Sequence, residues 1–66
     1  MSQAKVLGII GGGQLGSMLC QAAKKVNIKT VIYCDDKNAP AQNFSDQFIN
    51  SSYENINKIN EFSNLV

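Results

Sequence analysis

The residues best suited to chemistry in this chain form a short glycine-rich loop near its start. The run Gly11–Gly16 carries the spacing Gly-x-Gly-x-x-Gly directly after an apolar segment. Between a strand and a helix, such a loop presents backbone N–H groups at the positive end of the helix dipole, which favours an anion such as phosphate. The spacing predicts that Gly11 makes a tight turn, Gly13 lets backbone approach a ligand, and Gly16 permits close helix packing.

This loop has two interpretations. It either binds a nucleotide or another phosphorylated ligand, or its glycines only form a tight turn between a strand and a helix. Gln14, at the predicted helix start, carries an amide donor and a carbonyl acceptor. Its side chain either contacts a ribose hydroxyl or a phosphate, or is a solvated residue of the first turn.

An acidic pair follows the second predicted strand. In dinucleotide-binding proteins, an acid about 20 residues past the glycines binds the ribose 2′-OH. Asp35 lies 24 positions after Gly11, and Asp36 comes next. Asp35 is therefore either a ribose ligand or an ordinary turn carboxylate.

No combination of residues in the chain suits catalysis or metal binding. The sequence contains no histidine, the usual proton shuttle near neutral pH. Cys34 has no base or metal partner in the sequence pattern, and Cys20 is expected to be an incidental helix residue outside the core. The sequence therefore predicts neither catalytic residues nor a metal site.

Composition indicates a small folded domain. The 66 residues are 44% hydrophobic and 17% charged, which is typical of globular proteins. A net charge of +1 argues against nucleic-acid binding. The apolar runs are too short for a signal peptide or a membrane span. We expect a soluble cytoplasmic protein that binds neither nucleic acid nor membrane, with both cysteines reduced.

Hydrophobic periodicity predicts a Rossmann-like α/β fold with a parallel sheet of about three strands. Right-handed crossovers place strand 1 beside strand 2 and strand 2 beside strand 3, with the first two helices on one face. The predicted elements are strand 5–10, helix 14–26 ended by Asn27, strand 29–34, a short helix opening at Pro40, strand 47–50, and a last helix capped by Ser51 and Glu54.

The first predicted helix carries one apolar stripe, and we expect Met18 and Leu19 to lie in the core. The stripe consists of Leu15, Met18, Leu19, Ala22, Ala23 and Val26. No fourth strand is predicted, so the very apolar strand 1 is left at a sheet edge. We therefore expect these residues to be the opening of a larger protein.

These motifs resemble the opening of the 5-(carboxyamino)imidazole ribonucleotide synthase family, purine-biosynthesis enzymes of the ATP-grasp superfamily. The resemblance covers nearly the whole chain and implies that residues 1–66 are part of the first, pre-ATP-grasp domain, without the ATP-grasp and C-terminal domains. It rests on Gly11–Gly16 followed by Met18, and on Ala22–Lys24, Ile32–Cys34, Ala39–Ala41, Asp46 and Tyr53.

The resemblance implies that the complete enzyme is a ligase. Family members use ATP and bicarbonate to carboxylate aminoimidazole ribonucleotide, and their central and C-terminal domains hold ATP and Mg²⁺. The implied partners of this chain are the ribonucleotide and either a separate ATP-grasp chain or a homodimer partner. By the same resemblance the loop faces the ribonucleotide, and the substrate-binding residues are Gly11, Gly13, Gln14, Leu15 and Gly16.

The chain departs from the family pattern in two ways. Ser17 stands where the family usually has Arg, and a hydroxyl does not replace the charge that pairs with phosphate. The residues of an ATP-grasp site are not in the sequence, so the chain is expected to be inactive alone. The alternatives are the opening of an NAD- or FAD-dependent oxidoreductase and a non-catalytic remnant.

Overall fold

The computed structural model describes residues 5–66; residues 1–4 of the predicted domain lie outside this part. The three strands form one parallel sheet in the order β1-β2-β3, which confirms the predicted α/β class. No helix among residues 5–66 is long and apolar enough to cross a membrane. The elements are β1 Val6–Ile10, α1 Gln14–Lys25, β2 Lys29–Cys34, a 3-10 helix Pro40–Asn43, β3 Gln47–Asn50 and α2 Ile56–Leu65.

β2 is the central strand and the most deeply buried element. Every residue from Thr30 to Cys34 is buried. A parallel strand covered on both faces is expected to be continuously apolar or β-branched, as this one is. At the start of β2, the Asp46 carboxylate accepts a hydrogen bond from the Thr30 N–H (2.8 Å), and the Asp46 N–H donates to the Thr30 carbonyl (3.1 Å). This reciprocal pair fixes the register of β3 against β2.

The sheet is covered differently on its two faces. On one face, α2 packs Phe62 against Val31 and Tyr33, with the rings of Tyr33 and Phe62 5.6 Å apart in an edge-to-face arrangement. On the other face lie α1 and the 3-10 helix, as the crossover rule predicts for the first two helices. The core of that face consists of Ile9, Cys20, Ile32, Cys34, Ala39 and Ala41.

The buried side of α1 differs from the predicted one. Cys20 is 0% exposed, whereas Met18 is 58% exposed, and Leu19 is also exposed. The expectations that Met18 and Leu19 lie in the core and that Cys20 lies outside it are wrong. The reason is close packing against the glycine loop, because a Cβ added at Gly16 would lie 2.7 Å from the Gly11 carbonyl oxygen. The helix therefore turns small residues inward, and every member of the predicted apolar stripe except Ala23 is exposed.

The ends of the two helices are defined by asparagines. Asn27 follows α1 with a φ of 61°, the left-handed conformation that the sequence predicts. The predicted capping box of Ser51 and Glu54 is wrong. The Asn55 side chain caps α2 by accepting from the Lys58 N–H at 3.1 Å, because the Glu54 N–H is already used in a turn with the Ser52 hydroxyl.

We predict that Cys20→Gln lowers the free energy of unfolding of the chain far more than Met18→Gln does. Cys20→Gln places a larger, polar side chain in a closed core and should lower the free energy of unfolding by about 2–4 kcal/mol. Met18→Gln alters an exposed site with a residue of similar shape and helix propensity, so the change should stay within about 0.5 kcal/mol. Urea unfolding followed by circular dichroism measures both; a larger loss for Met18→Gln would contradict the observed rotation of α1.

Candidate functional site

The glycine loop lies at the C-terminal edge of the sheet, between β1 and α1. The Gly11 N–H donates to the Tyr33 carbonyl of β2 at 2.7 Å. The Gly12 carbonyl accepts from the Ala41 N–H at 3.0 Å, which joins the loop to the 3-10 helix. The loop is thus held by backbone hydrogen bonds from two sides, independently of any ligand.

Three glycines of the loop are required by the fold itself. A Cβ added at Gly12 would lie 2.7 Å from the Ala39 Cβ. Gly11 has a φ of +105°, a conformation that other residues adopt only with strain. A Cβ added at Gly16 would lie 2.7 Å from the Gly11 carbonyl oxygen, so a side chain there would push α1 away from the loop. These observations agree with the predicted tight turn at Gly11 and the predicted close packing at Gly16.

Gly13 is different, because nothing among residues 5–66 requires a glycine there. Its φ of −73° and ψ of −161° are open to any residue, and a Cβ at this position would meet no atom within 4 Å. Gln14 and Leu15, the next two residues, are also exposed, Leu15 at 69%. The space beside the start of α1 is therefore open to solvent.

The first turn of α1 has backbone donors without acceptors. Gly13 is the N-cap and has no side chain to accept a hydrogen bond, and the first turn contains no acidic residue. Between residues 5 and 66, only the Ser17 N–H of this turn is bonded, to the Gly13 carbonyl at 3.0 Å. The N–H groups of Gln14, Leu15 and Gly16 lie at the N-terminus of α1, which is the positive end of the helix dipole. An anion is stabilised at this position.

Ser17, the position at which the family usually carries Arg, faces inward in this chain. Ser17 is buried, and its hydroxyl accepts from the Gln21 amide at 3.4 Å. The structure therefore does not bring Ser17 to the open side of the loop. The polar groups on the open side of the loop are therefore backbone N–H groups and the exposed Gln14.

The acidic pair after β2 lies at the same edge of the sheet. The Asp36 carboxylate accepts from the Asn38 N–H at 2.9 Å, which is a local turn contact. Asp35 is exposed at the end of β2. Cys34 is buried beneath the loop, where its Sγ would lie 3.1 Å from a Cβ added at Gly12.

Tyr53 borders this edge of the sheet, a position that no motif in the sequence predicts. The loop after β3 brings its ring to 5.9 Å from the ring of Tyr33. The pKa of the Tyr53 phenol is raised above its ordinary value of 10.0, first by partial burial, then by the contact with Cys34 and the negative charge of Asp35. The topology, and no local motif, places this residue beside the end of β2.

The donor set of the loop suits an anion and does not suit a cation. Mg²⁺ requires oxygen ligands in octahedral geometry, whereas the open side of the loop presents N–H groups. In the described part of the chain, no three acidic, cysteine or histidine side chains are grouped so that they could hold a metal ion. The loop therefore provides donors for phosphate but no ligand set for a metal ion.

The fold and the loop define an α/β domain with a parallel sheet and a glycine-rich turn at the C-terminal edge of that sheet. The chain matches the family described as the ribonucleotide synthetase preATP-grasp domain over residues 4–66. The chain belongs to this family. The match confirms the resemblance found in the sequence to ATP-grasp ligases of purine biosynthesis.

Individual relatives agree with this assignment. The chain is 46% identical over 54 residues to phosphoribosylaminoimidazole carboxylase of Saccharomyces cerevisiae, covering 79% of this chain and 9% of the relative. It is 36% identical over 63 residues to N5-carboxyaminoimidazole ribonucleotide synthase of Staphylococcus epidermidis, covering 91% of this chain and 17% of the relative. The chain therefore spans about a sixth or less of the length of these relatives.

A solved structure is similar over almost the whole chain. The N5-carboxyaminoimidazole synthetase from Staphylococcus aureus, complexed with ADP, superposes with a TM-score of 0.89 at 31% sequence identity. The superposition covers 97% of this chain and 17% of that protein. The sheet order and helix positions of this chain are therefore those of the corresponding part of a synthetase.

We predict that Gly11→Ala and Gly13→Ala differ in their effect on the free energy of unfolding. Gly11→Ala forces a strained φ and should lower the free energy of unfolding by about 1–3 kcal/mol. Gly13→Ala should change it by less than about 1 kcal/mol, since a weaker N-cap is offset by a less flexible unfolded chain. Urea unfolding of the two variants checks this, and equal losses would contradict the different roles assigned to Gly11 and Gly13.

We predict that Tyr53 titrates above the ordinary tyrosine range. Asp35→Asn removes one negative charge beside the phenol and should lower the pKa of Tyr53, whereas Glu61→Gln, on the exposed side of α2, should leave it unchanged. Because the folded pKa is raised, the stability contributed by the neutral phenol is complete below pH 10 and is lost as pH rises through the folded pKa. NMR of the tyrosine ring carbons during a pH titration measures this.

Proposed function

We propose that this chain forms the first domain of a ligase that carboxylates aminoimidazole ribonucleotide with ATP and bicarbonate, and that its loop binds the ribonucleotide. One observation carries the proposal. The N–H groups of Gln14, Leu15 and Gly16 have no acceptor among residues 5–66 and lie beside the open space at Gly13. The chain is similar to proteins named as synthases of N5-carboxyaminoimidazole ribonucleotide, which supports a phosphate ester as the anion.

In this proposal the loop recognises the phosphate through its backbone. The N–H groups at the start of α1 donate to phosphate oxygens, and the helix dipole adds a favourable partial charge. Hydrogen bonds to a charged acceptor contribute about 1.5–3 kcal/mol each. Because the loop is already fixed by its bonds to Tyr33 and Ala41, little entropy is lost when the ligand binds.

Gln14 gives the site a side chain that distinguishes ligands. Its amide donates to phosphate or accepts from a ribose hydroxyl, in a position next to the backbone donors. Gly13 keeps the approach to the loop free of a side chain, so that the ligand contacts the main chain directly. Gly11 and Gly16 act through the shape of the loop.

The rest of the reaction is assigned to parts of a synthase beyond this segment. ATP supplies the phosphoryl group that activates bicarbonate, and we propose that ATP and Mg²⁺ are held outside residues 1–66. The contribution of this chain is to bind and orient the ribonucleotide so that its exocyclic amine faces the activated carboxyl group. The chain by itself should have no carboxylating activity.

A chimeric enzyme tests this proposal. Residues 5–66 replace the matching segment of the Staphylococcus aureus synthetase, and ATP-dependent and bicarbonate-dependent carboxylation of aminoimidazole ribonucleotide is measured. We expect activity, and we expect Gln14→Ala to raise KM for the ribonucleotide about 10-fold, the loss of one charged hydrogen bond, with KM for ATP unchanged.

The matched control is Gln47→Ala, an exposed glutamine at the start of β3 and the opposite edge of the sheet. It should leave both KM values unchanged. A folded chimera without activity, or equal effects of the two glutamine substitutions on KM for the ribonucleotide, would reject the proposed role of the loop.

A further inference from the structure

The segment that carries Tyr53 is fixed to the C-terminal end of β2. The Cys34 carbonyl accepts a hydrogen bond from the Ser51 N–H at 3.1 Å. The hydroxyl of the buried Tyr33 donates to the Ser52 carbonyl at 2.5 Å. Because both residues before Tyr53 are bonded to β2, the backbone that carries its side chain is ordered before any ligand binds.

The Tyr53 ring packs on the core with one part and is open to solvent with another. Its centre lies 5.9 Å from the centre of the Tyr33 ring, and the two rings are tilted by 37°. Tyr53 nonetheless remains 43% exposed, whereas Tyr33 is 1% exposed. A ring supported in this way gives a rigid surface, and small-molecule sites are commonly lined by such aromatic side chains.

The two carboxylates that follow β2 have different surroundings. Asp36 forms the turn, because its carboxylate accepts from the Asn38 N–H at 2.9 Å and its carbonyl accepts from the Ala39 N–H at 3.2 Å. The Asp35 carboxylate is exposed and accepts no hydrogen bond from residues 5–66. It lies close enough to the Tyr53 phenol for its charge to help raise the pKa of that phenol. Asp35 is therefore free to bind a donor from a ligand.

Tyr53, Asp35 and the glycine loop share the C-terminal edge of the sheet, where parallel α/β folds bind ligands. Cys34 lies between them, since its Sγ would be 3.1 Å from a Cβ added at Gly12 and its side chain contacts the Tyr53 phenol. β1, which leads into the loop, and β3, which leads to Tyr53, are two strand spacings apart, about 10 Å. A ribonucleoside monophosphate has a similar length from its phosphate to its base.

We propose that Tyr53 and Asp35 form a nucleoside subsite next to the glycine loop. In this subsite the Tyr53 ring packs against the planar imidazole of aminoimidazole ribonucleotide, and the Asp35 carboxylate accepts a hydrogen bond from a ribose hydroxyl. The inference deepens the proposed function and rests on it for the identity of the ligand.

The charges along this edge of the sheet give the ligand one orientation. The N–H groups at the start of α1 attract a phosphate, whereas the exposed Asp35 repels it. The phosphate therefore lies at the loop, and the ribose and imidazole extend towards Tyr53. A ligand that has the phosphate but lacks the heterocycle contacts the loop and leaves the Tyr53 ring uncovered.

Substitutions of Tyr53 in the chimera with the Staphylococcus aureus synthetase test the aromatic contact. Tyr53→Leu keeps an apolar side chain without the ring and should raise KM for the ribonucleotide about 10-fold, with KM for ATP unchanged. Tyr53→Phe keeps the ring and should stay within about 2-fold of the parent chimera. An unchanged KM for the ribonucleotide in Tyr53→Leu would overturn the proposal. Equal increases in both KM values with a lower melting temperature would also overturn it, because a purely structural role predicts that result.

A matched pair of acidic residues tests the ribose contact. Asp35→Ala removes the acceptor and should raise KM for the ribonucleotide about 10-fold. Glu61→Ala removes the same charge from the exposed side of α2 and should leave this KM unchanged. Equal effects of the two substitutions would overturn the assignment of Asp35 to the subsite.

NMR of the 66-residue chain provides a measurement that is independent of carboxylation. Aminoimidazole ribonucleotide should shift the signals of the Gln14 amide and of the Tyr53 ring, whereas ribose 5-phosphate should shift the Gln14 amide and leave the ring unchanged. A ribonucleotide that shifts Gln14 without Tyr53 would overturn the subsite and leave the proposed function. Shifts at Tyr53 without Gln14 would reject the proposed role of the loop and leave the subsite, and no shift at either residue would reject both.

Discussion

The close contact between α1, the glycine loop and the 3-10 helix is the constraint on which the rest of this domain depends. Small residues meet there, and each lies near a neighbour that leaves no room for a larger side chain. A Cβ added at Gly12 would lie 2.7 Å from the Ala39 Cβ, and one at Gly16 would lie 2.7 Å from the Gly11 oxygen. The dense contact holds the start of α1 at the C-terminal edge of the sheet, where its unbonded N–H groups meet solvent.

The same contact explains why one helix has two distinct apolar surfaces. The small residues of α1 form the inward face because only they allow the approach, so the larger apolar residues must face outward. Leu15 and Met18 are each more than half exposed, and large exposed apolar patches mark interaction sites. The geometry of the loop and the exposure of the stripe therefore have one cause.

Much of the fold was predictable from sequence because the signals are local. β2 and β3 begin and end as predicted, and Gly-x-Gly-x-x-Gly correctly marked the turn into α1. The rotation of α1 was not predictable from periodicity, which identifies the most apolar side of a helix and assumes that this side is buried.

Two further positions depend on contacts far apart in the chain. Asp46 fixes β3 to Thr30 across 16 residues, and Tyr53 meets Tyr33 only after β3 has returned to the sheet. Within the candidate site, the turn and packing roles of Gly11 and Gly16 followed from spacing. The inward orientation of Ser17 did not, because it depends on how α1 is rotated.

The pairing of β1 also has a consequence for solubility. Among residues 5–66, β1 pairs with β2 along one side only, and Leu7 and Ile10 are exposed beside it. An apolar strand edge offers main-chain hydrogen bonds to any other extended segment. Within the described residues, aggregation should therefore begin at β1 rather than at the buried central strand.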